Sequence, residues 1–172
     1  MQLTGEQIVR NGIVTNVCND GIQQQGVDVR VAKVFRIESG GGVVPEKGKT
    51  TLPKYEEVKP KLIKFTGGVE HLFFHLDPGY YEVELMEGCN IGNTYVLNFK
   101  TRSSLVRSGA IIHSGQFDGG FKTDKMGCFI HVIHPINIQL GARIAQAIVN
   151  ETYEVSENHM YNGQWQGDKQ RN

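Results

Sequence analysis

The chain has 172 residues, 39% hydrophobic and 21% charged, which suits one packed domain and excludes a disordered segment. Lys plus Arg and Asp plus Glu stand at 18 each, so the basic excess of a duplex-binding protein and the basic stripe of a membrane-surface protein are missing. Nucleic acid and membrane are therefore not expected partners, whereas a small anionic ligand needs only a local cluster of positive charge.

Thr4-Gly5-Glu6-Gln7 before IVRNG predicts a short helix with Thr4 as N-cap, Gln7 at the third helical position and Gly12 at the stop. VDVRVAKVFRI, from Val27 to Ile37, alternates apolar and polar residues and predicts a half-buried strand. Ser39 to Pro53 is rich in Gly, Pro and Lys and reads as a long exposed hairpin or excursion. Short β-like runs follow: KLIKF, HLFFHL, YYEVEL, NTYVLNF, AIIHS, CFIHVI, INIQL and ARIAQAIV, punctuated by DPG, EGCN and DGG. That spacing predicts an all-β sandwich or barrel with one or two short helices, not βαβ units. Residues 1–172 read as a single domain. The polar, glycine-rich 159–172 forms a mobile tail in which two aromatics are out of place.

Cys18, Cys89 and Cys128 are an odd number without CxxC spacing, which predicts reduced thiols. The N-terminus carries early charges and no apolar run, and no 18-residue apolar stretch occurs, so a soluble cytoplasmic protein is expected. The six histidines lack a zinc signature; His131 and His134 point to opposite faces of a β-like run.

Three segments could carry chemistry. In TRSSLVR, Arg102, Ser103, Ser104 and Arg107 combine hydroxyls with forked guanidiniums and suit phosphate oxygens; a Ser-capped surface helix with two solvated arginines is the alternative. In GQFDGGF, Asp118 is either a turn carboxylate accepting backbone amides or a group that polarises a water or binds a sugar hydroxyl. In GVDVRV, Asp28 and Arg30 share the face away from the valines, as an ion pair or with Asp28 beside a hydrated Mg²⁺.

Taken in order, GVDVRV, LDPGYYEVEL, TRSSLVRSGA, HSGQFDGGF, LGARIAQAIV and YNGQWQG resemble the superfamily of trimeric dUTPases and dCTP deaminases, particularly the short deaminase-like dUTPases of archaea and archaeal viruses. The resemblance implies a distorted jelly roll (a β-clip-like barrel) forming a homotrimer with shared sites, in the cytoplasm, a host cell's if the gene is viral. It implies that Arg102, Ser103 and Ser104 cradle a triphosphate, with Gln146, Tyr161, Gln164 and Gln166 also on the phosphates. Asp118 would orient the attacking water and touch the 3′-hydroxyl, and Arg107 would join it as a catalytic residue. Phe121 would pack on the sugar, and backbone of the Ile112–Phe117 hairpin, with His113, Ser114, Gln116 and Phe117, would read the base. Asp28 would stand near Mg²⁺, the implied cofactor, through water. The tail would close over a neighbouring subunit's site.

Deaminase and pyrophosphatase share this scaffold, and one proton carrier separates them. Family deaminases place a Glu on the strand after the D-x-G-F/Y-x-G turn. Here the insertion KTDKM precedes Gly127, and counting from it brings Val132 to that position. Valine transfers no proton, and loss of a general acid/base costs about 10²–10⁴-fold. His131 is one residue away on the other strand face. The expected activity is hydrolysis of dUTP to dUMP and pyrophosphate; a dCTP deaminase, a bifunctional enzyme or a weakly active nucleotide-binding relative are the alternatives. Gln164 replaces the usual tail lysine, and Gly119 stands where Pro or Ala is common, which predicts a looser turn.

Overall fold

In a computed structural model, residues 1–46, 49–64, 67–163 and 165–167 are described. Helix α1 (Gly5–Arg10) opens on the expected capping box: the Gln7 amide donates to Thr4 Oγ1 (3.3 Å) and the Thr4 amide to Gln7 Oε1 (2.9 Å). The strands among the described residues are β1 (Val14–Thr15), β2 (Ile22–Gln23), β3 (Gly26–Ile37), β4 (Tyr55–Val58), β5 (Lys61–Lys64), β6 (Glu70–Leu76), β7 (Gly79–Leu85), β8 (Gly88–Asn90) and β9 (Tyr95–Thr101). After β9 come α2 (Ser103–Arg107), β10 (Ala110–His113), β11 (Lys122–Thr123), β12 (Gly127–Val132), β13 (Ile136–Gln139) and β14 (Arg143–Glu151). The fold is mainly β, as expected.

The main sheet runs β10-β12-β7-β3-β14-β9, with β2 and β4 also paired to β3. Its axis is β3, which pairs β14 through its first half and β7 through its second, with a register shift between Val31 and Lys33. The irregularity lets one strand serve two directions, and the sheet curls. Its outer strands nearly meet: the Ile112 amide on β10 donates 3.0 Å to Thr101 Oγ1 at the end of β9. Two small sheets, β1-β8-β11 and β13-β6-β5, flank it.

Inward residues of β3, β7, β12 and β14 make the core. Val29, Val34, Val83, Ile130, Ala145 and Val149 are buried, and Tyr81 joins them with its hydroxyl donating 2.9 Å to Asp77 O. Each large apolar side chain removed from water contributes about 1.5–3 kcal/mol. At Gly26 a Cβ would lie 2.5 Å from Ala147 O, so β3 and β14 approach each other only because that side chain is missing. The Ser39–Pro53 excursion is a hairpin arm, with Gly42 and Thr51 exchanging amide bonds (3.1 and 2.9 Å) before β4 returns onto β3.

The cysteines are free, and burial pushes the Cys89 and Cys128 thiols up to about 12. Among the described residues, no helix is long and apolar enough to cross a membrane.

The alternating reading of β3 fails at Asp28 and Arg30. Asp28 is buried together with Val27 and Val29, and the Arg102 and Arg143 guanidiniums lie against the face that alternation assigns to solvent. The two do not pair with each other. Arg30 Nε meets Glu87 Oε1 at 2.6 Å, and its main-chain amide donates 2.7 Å to Glu87 Oε2. Glu87 is 0% exposed, and nothing in the sequence singled it out.

Candidate active site

One cluster gathers at the end of β9. Thr101 leaves the strand, and Arg102, in extended conformation (φ −67°, ψ 142°), is the N-cap of α2. That overturns the alternative of a serine cap: Ser103 and Ser104 lie inside the first turn, exposed, and Arg102 makes no side-chain capping bond. Behind the turn, Arg102 Nε lies 3.4 Å from Asp28 Oδ2, and Arg102 Nη1 donates 3.4 Å to Arg143 O. Arg143 Nη1 stands 3.7 Å from the same Asp28 oxygen and donates 2.6 Å to Asp20 O. Gln146 is directly opposite Asp28 on one side and Lys100 on the other, so these three share a sheet face. Arg107 is exposed in the last turn of α2 and makes no ion pair among the described residues. Arg143 was missed because its partners lie far away in sequence.

Asp28 is 2% exposed, and its Oδ2 accepts no hydrogen bond. Burial pushes its carboxyl up from the ordinary value, against the pull of Arg102 and then Arg143. The folded chain therefore binds this proton more tightly than the unfolded chain, and keeping Asp28 ionised at neutral pH lowers stability, a loss relieved as pH falls through the raised value. Its geometric role is to anchor the Arg102 guanidinium. Asp28→Asn is accordingly expected to hold or raise Tm at pH 7, while kcat/KM falls about tenfold, ~1.4 kcal/mol. Thermal melts beside steady-state kinetics check both.

The second cluster sits on the turn after β10. Phe117 pairs with Leu97 through two main-chain bonds (3.0 and 2.9 Å), and the Phe121 amide donates 3.1 Å to Asp118 O to close the turn. Asp118 is exposed, and Gln116 Nε2 donates 2.8 Å to its Oδ1. Gln116, expected to contact base or sugar, thus orients the carboxylate and leaves Oδ2 free of that bond. Phe99, Phe117, Phe121 and Tyr161 form a run of edge-to-face rings, with centroids 5.3, 5.4 and 5.2 Å apart. The predicted looseness at Gly119 is not found: it is buried, and a Cβ there would lie 3.2 Å from Gly92 O.

Between the clusters, His113, Ser114, Asn98, Phe99 and Lys100 line a cavity of about 440 Å³ where the sheet fails to close. Thr101 Oγ1 accepts from the Ile112 amide (3.0 Å) and donates to its carbonyl (3.5 Å), which occupies the amide and leaves the carbonyl a second lone pair. His113 stacks on Tyr80 (5.6 Å), and Tyr80 on His131 (4.7 Å), along the outer face. Val132 is 1% exposed, opposite Ala110, so no proton carrier stands at that position.

The tail residues Tyr161 and Gln166 contact the Gly119–Lys122 turn of their own chain; Gln164 lies outside the described residues. The two clusters are not together within a chain. Asp118 follows Phe117, which pairs with Leu97, whereas Arg102 follows Thr101. The intervening strand spans roughly 13 Å. No three His, Cys, Asp or Glu side chains among the described residues converge to hold a metal ion.

A nucleotide-handling β-barrel with a serine-arginine turn and an acidic glycine turn is what these elements define. Residues 2–152 match the family model described as dCTP deaminase-like, and the chain belongs to that family. It is 33% identical over 156 residues to the deoxyuridine 5′-triphosphate nucleotidohydrolase of Methanocaldococcus jannaschii, covering 88% of this chain and 91% of that one. It is 32% identical over 148 residues to the probable deoxyuridine 5′-triphosphate nucleotidohydrolase of Methanopyrus kandleri, covering 85% and 89%. In structure it is similar to the 2′-deoxycytidine 5′-triphosphate deaminase of Agrobacterium tumefaciens, with a TM-score of 0.62 at 16% identity. That match covers 86% of this chain and 47% of the deaminase, and it speaks for the fold.

Proposed function

We propose that the chain is a dUTP diphosphatase: dUTP and water give dUMP and pyrophosphate. The observation that carries the reading is Asp118, an exposed carboxylate oriented by Gln116 on a turn fixed by the close packing of Gly119 and Gly120. Relatives about a third identical are named for action on dUTP, and this turn and Arg102-Ser103-Ser104 resemble the family's motifs.

Each centre is assembled from two chains of a homotrimer, with Asp118 from one and the serine-arginine turn from another. The separation along β9 supports this arrangement. Ser103, Ser104 and Arg102 hold the phosphates, with Gln146 alongside and Arg107 meeting charge that develops at the α-phosphorus. Asp118 orients a water and withdraws its proton as oxygen attacks that phosphorus. The bond to the bridging oxygen breaks, and pyrophosphate leaves. Phe121 packs on the deoxyribose, and main chain from His113 to Phe117, with Ser114 beside it, faces the pyrimidine. Tyr161 and Gln164 belong to the tail segment that covers the centre and excludes bulk water.

A metal ion carried in by the nucleotide needs few protein ligands, since Mg²⁺ commonly binds one or two carboxylates plus substrate phosphates, and Asp28 Oδ2 accepts no hydrogen bond. Asp28, through water, is the protein group that would meet it. Bound Mg²⁺ supplies neutralisation of charge on the non-bridging oxygens.

A panel of dUTP, dCTP, dTTP and UTP, followed for both pyrophosphate and ammonia, tests the reading. Pyrophosphate from dUTP and no ammonia from dCTP are expected, because Val132 carries no proton. Ammonia from dCTP would move the assignment to a deaminase, and binding of dUTP without turnover would make the protein a nucleotide sensor.

A further inference from the structure

We infer that each chain's tail works on its own nucleoside turn, and that Gln166 is a positioning residue for Phe121 rather than a phosphate ligand. The inference rests on the reading above, in which Phe121 packs on the deoxyribose; a ring seated there disfavours an added 2′-hydroxyl.

The geometry is a clamp on both sides of Phe121. Gln166 Nε2 donates 2.8 Å to Gly120 O, while its Oε1 accepts 3.2 Å from the Lys122 amide. One side-chain amide thus takes an acceptor and a donor from the two residues flanking Phe121, as a neighbouring strand would. The Gly167 amide adds a bond of 2.9 Å to Lys122 O, and the Tyr161 amide one of 2.8 Å to Gly119 O. The Tyr161 ring meets Phe121 edge-on at 5.2 Å. Gly120 is at φ +92°, and a Cβ there would come within 3.0 Å of the Tyr161 nitrogen, so this contact needs glycine twice over. With Oε1 and one N–H engaged, the Gln166 amide is held against the turn and keeps a single N–H for any other partner. Its removal loosens the ring that discriminates sugars.

Two measurements test this. Trp165 is the chain's single tryptophan, half-exposed next to the clamp. In nucleotide-free protein, Gln166→Ala is expected to red-shift its emission and raise acrylamide quenching about twofold; unchanged emission and quenching would overturn the clamp whatever the enzyme's substrate. In kinetics, Gln166→Ala should lower the dUTP-to-UTP ratio of kcat/KM about tenfold, and Gln166→Glu, which keeps the acceptor but not the donor, should lower it less. Equal losses on both nucleotides, with the ratio unchanged, would identify a phosphate contact and sink the proposal. Trimers mixed from Gln166→Ala chains and Asp118→Asn chains separate the chain of action. Every competent carboxylate then has a defective tail in its own chain, so the low ratio persists; restoration toward wild type would show that tails act on neighbours.

Discussion

Asp118→Asn is expected to lower pyrophosphate release from dUTP by about 10²–10⁴-fold, the range for loss of a positioned general base. Asn keeps the shape of the side chain and its Oδ1 still accepts from Gln116, so turn geometry is preserved while the charge that activates water is lost. The position is exposed, so Tm should move by under about 0.5 kcal/mol equivalent. Calorimetry should find dUTP bound nearly as tightly as before, since phosphates and base are held elsewhere. A variant that hydrolyses dUTP at the wild-type rate would remove Asp118 from the chemistry. Mixing adds a second reading. Asp118→Asn and Ser104→Ala chains are each defective alone, yet in randomly mixed trimers about a quarter of centres combine an intact carboxylate with an intact serine turn. Activity should recover to that order if centres are shared between chains, and not at all if each chain is self-sufficient.

Glu87→Ala is expected to be the most damaging single change to the fold. Glu87 is 0% exposed and accepts from both the amide and the Nε of Arg30, whose remaining Nη2 donates 2.8 Å to Asn16 O. A guanidinium keeps its proton at any ordinary pH, so Arg30 stays charged when left alone. Removing one member of a buried pair costs about 3–5 kcal/mol. At ~2–4 °C per kcal/mol for a domain of this size, Tm should fall by roughly 6–20 °C. Replacing both members, as in Arg30→Met with Glu87→Met, should recover much of the loss, because a packed apolar pair leaves no orphaned charge. Thermal melts of the single and double variants check this. A double variant as unstable as the sum of the singles would mean that the two side chains act independently, and that an orphaned charge is not the source of the loss.

How far the sequence anticipates the structure depends on the range of each signal. The capping box at Thr4 and Gln7 is read correctly because it is local chemistry over three residues. The many short strands are legible for the same reason, from alternation and turn residues. Asp28 is misread because alternation reports one covered face, whereas the Arg102 and Arg143 side chains lie over the other face at Asp28. Glu87 and Arg143 are invisible because ion pairing between distant segments has no period and no motif. The serine-arginine turn was found, but its bland alternative turned on the identity of the N-cap, which needs backbone angles: Arg102 fills it. The clamp at Gln166 is hidden because an amide side chain bonding main chain has no preferred spacing.

A strand that carries the serine-arginine turn at one end and, across a single pairing, the acidic turn at the other would belong to two workplaces at once. If the trimer is built as proposed, β9 is a strut between adjacent centres. A faulty copy then harms the neighbour on either side of it. Damaged protein made alongside sound protein would interfere with it dominantly, not merely dilute it.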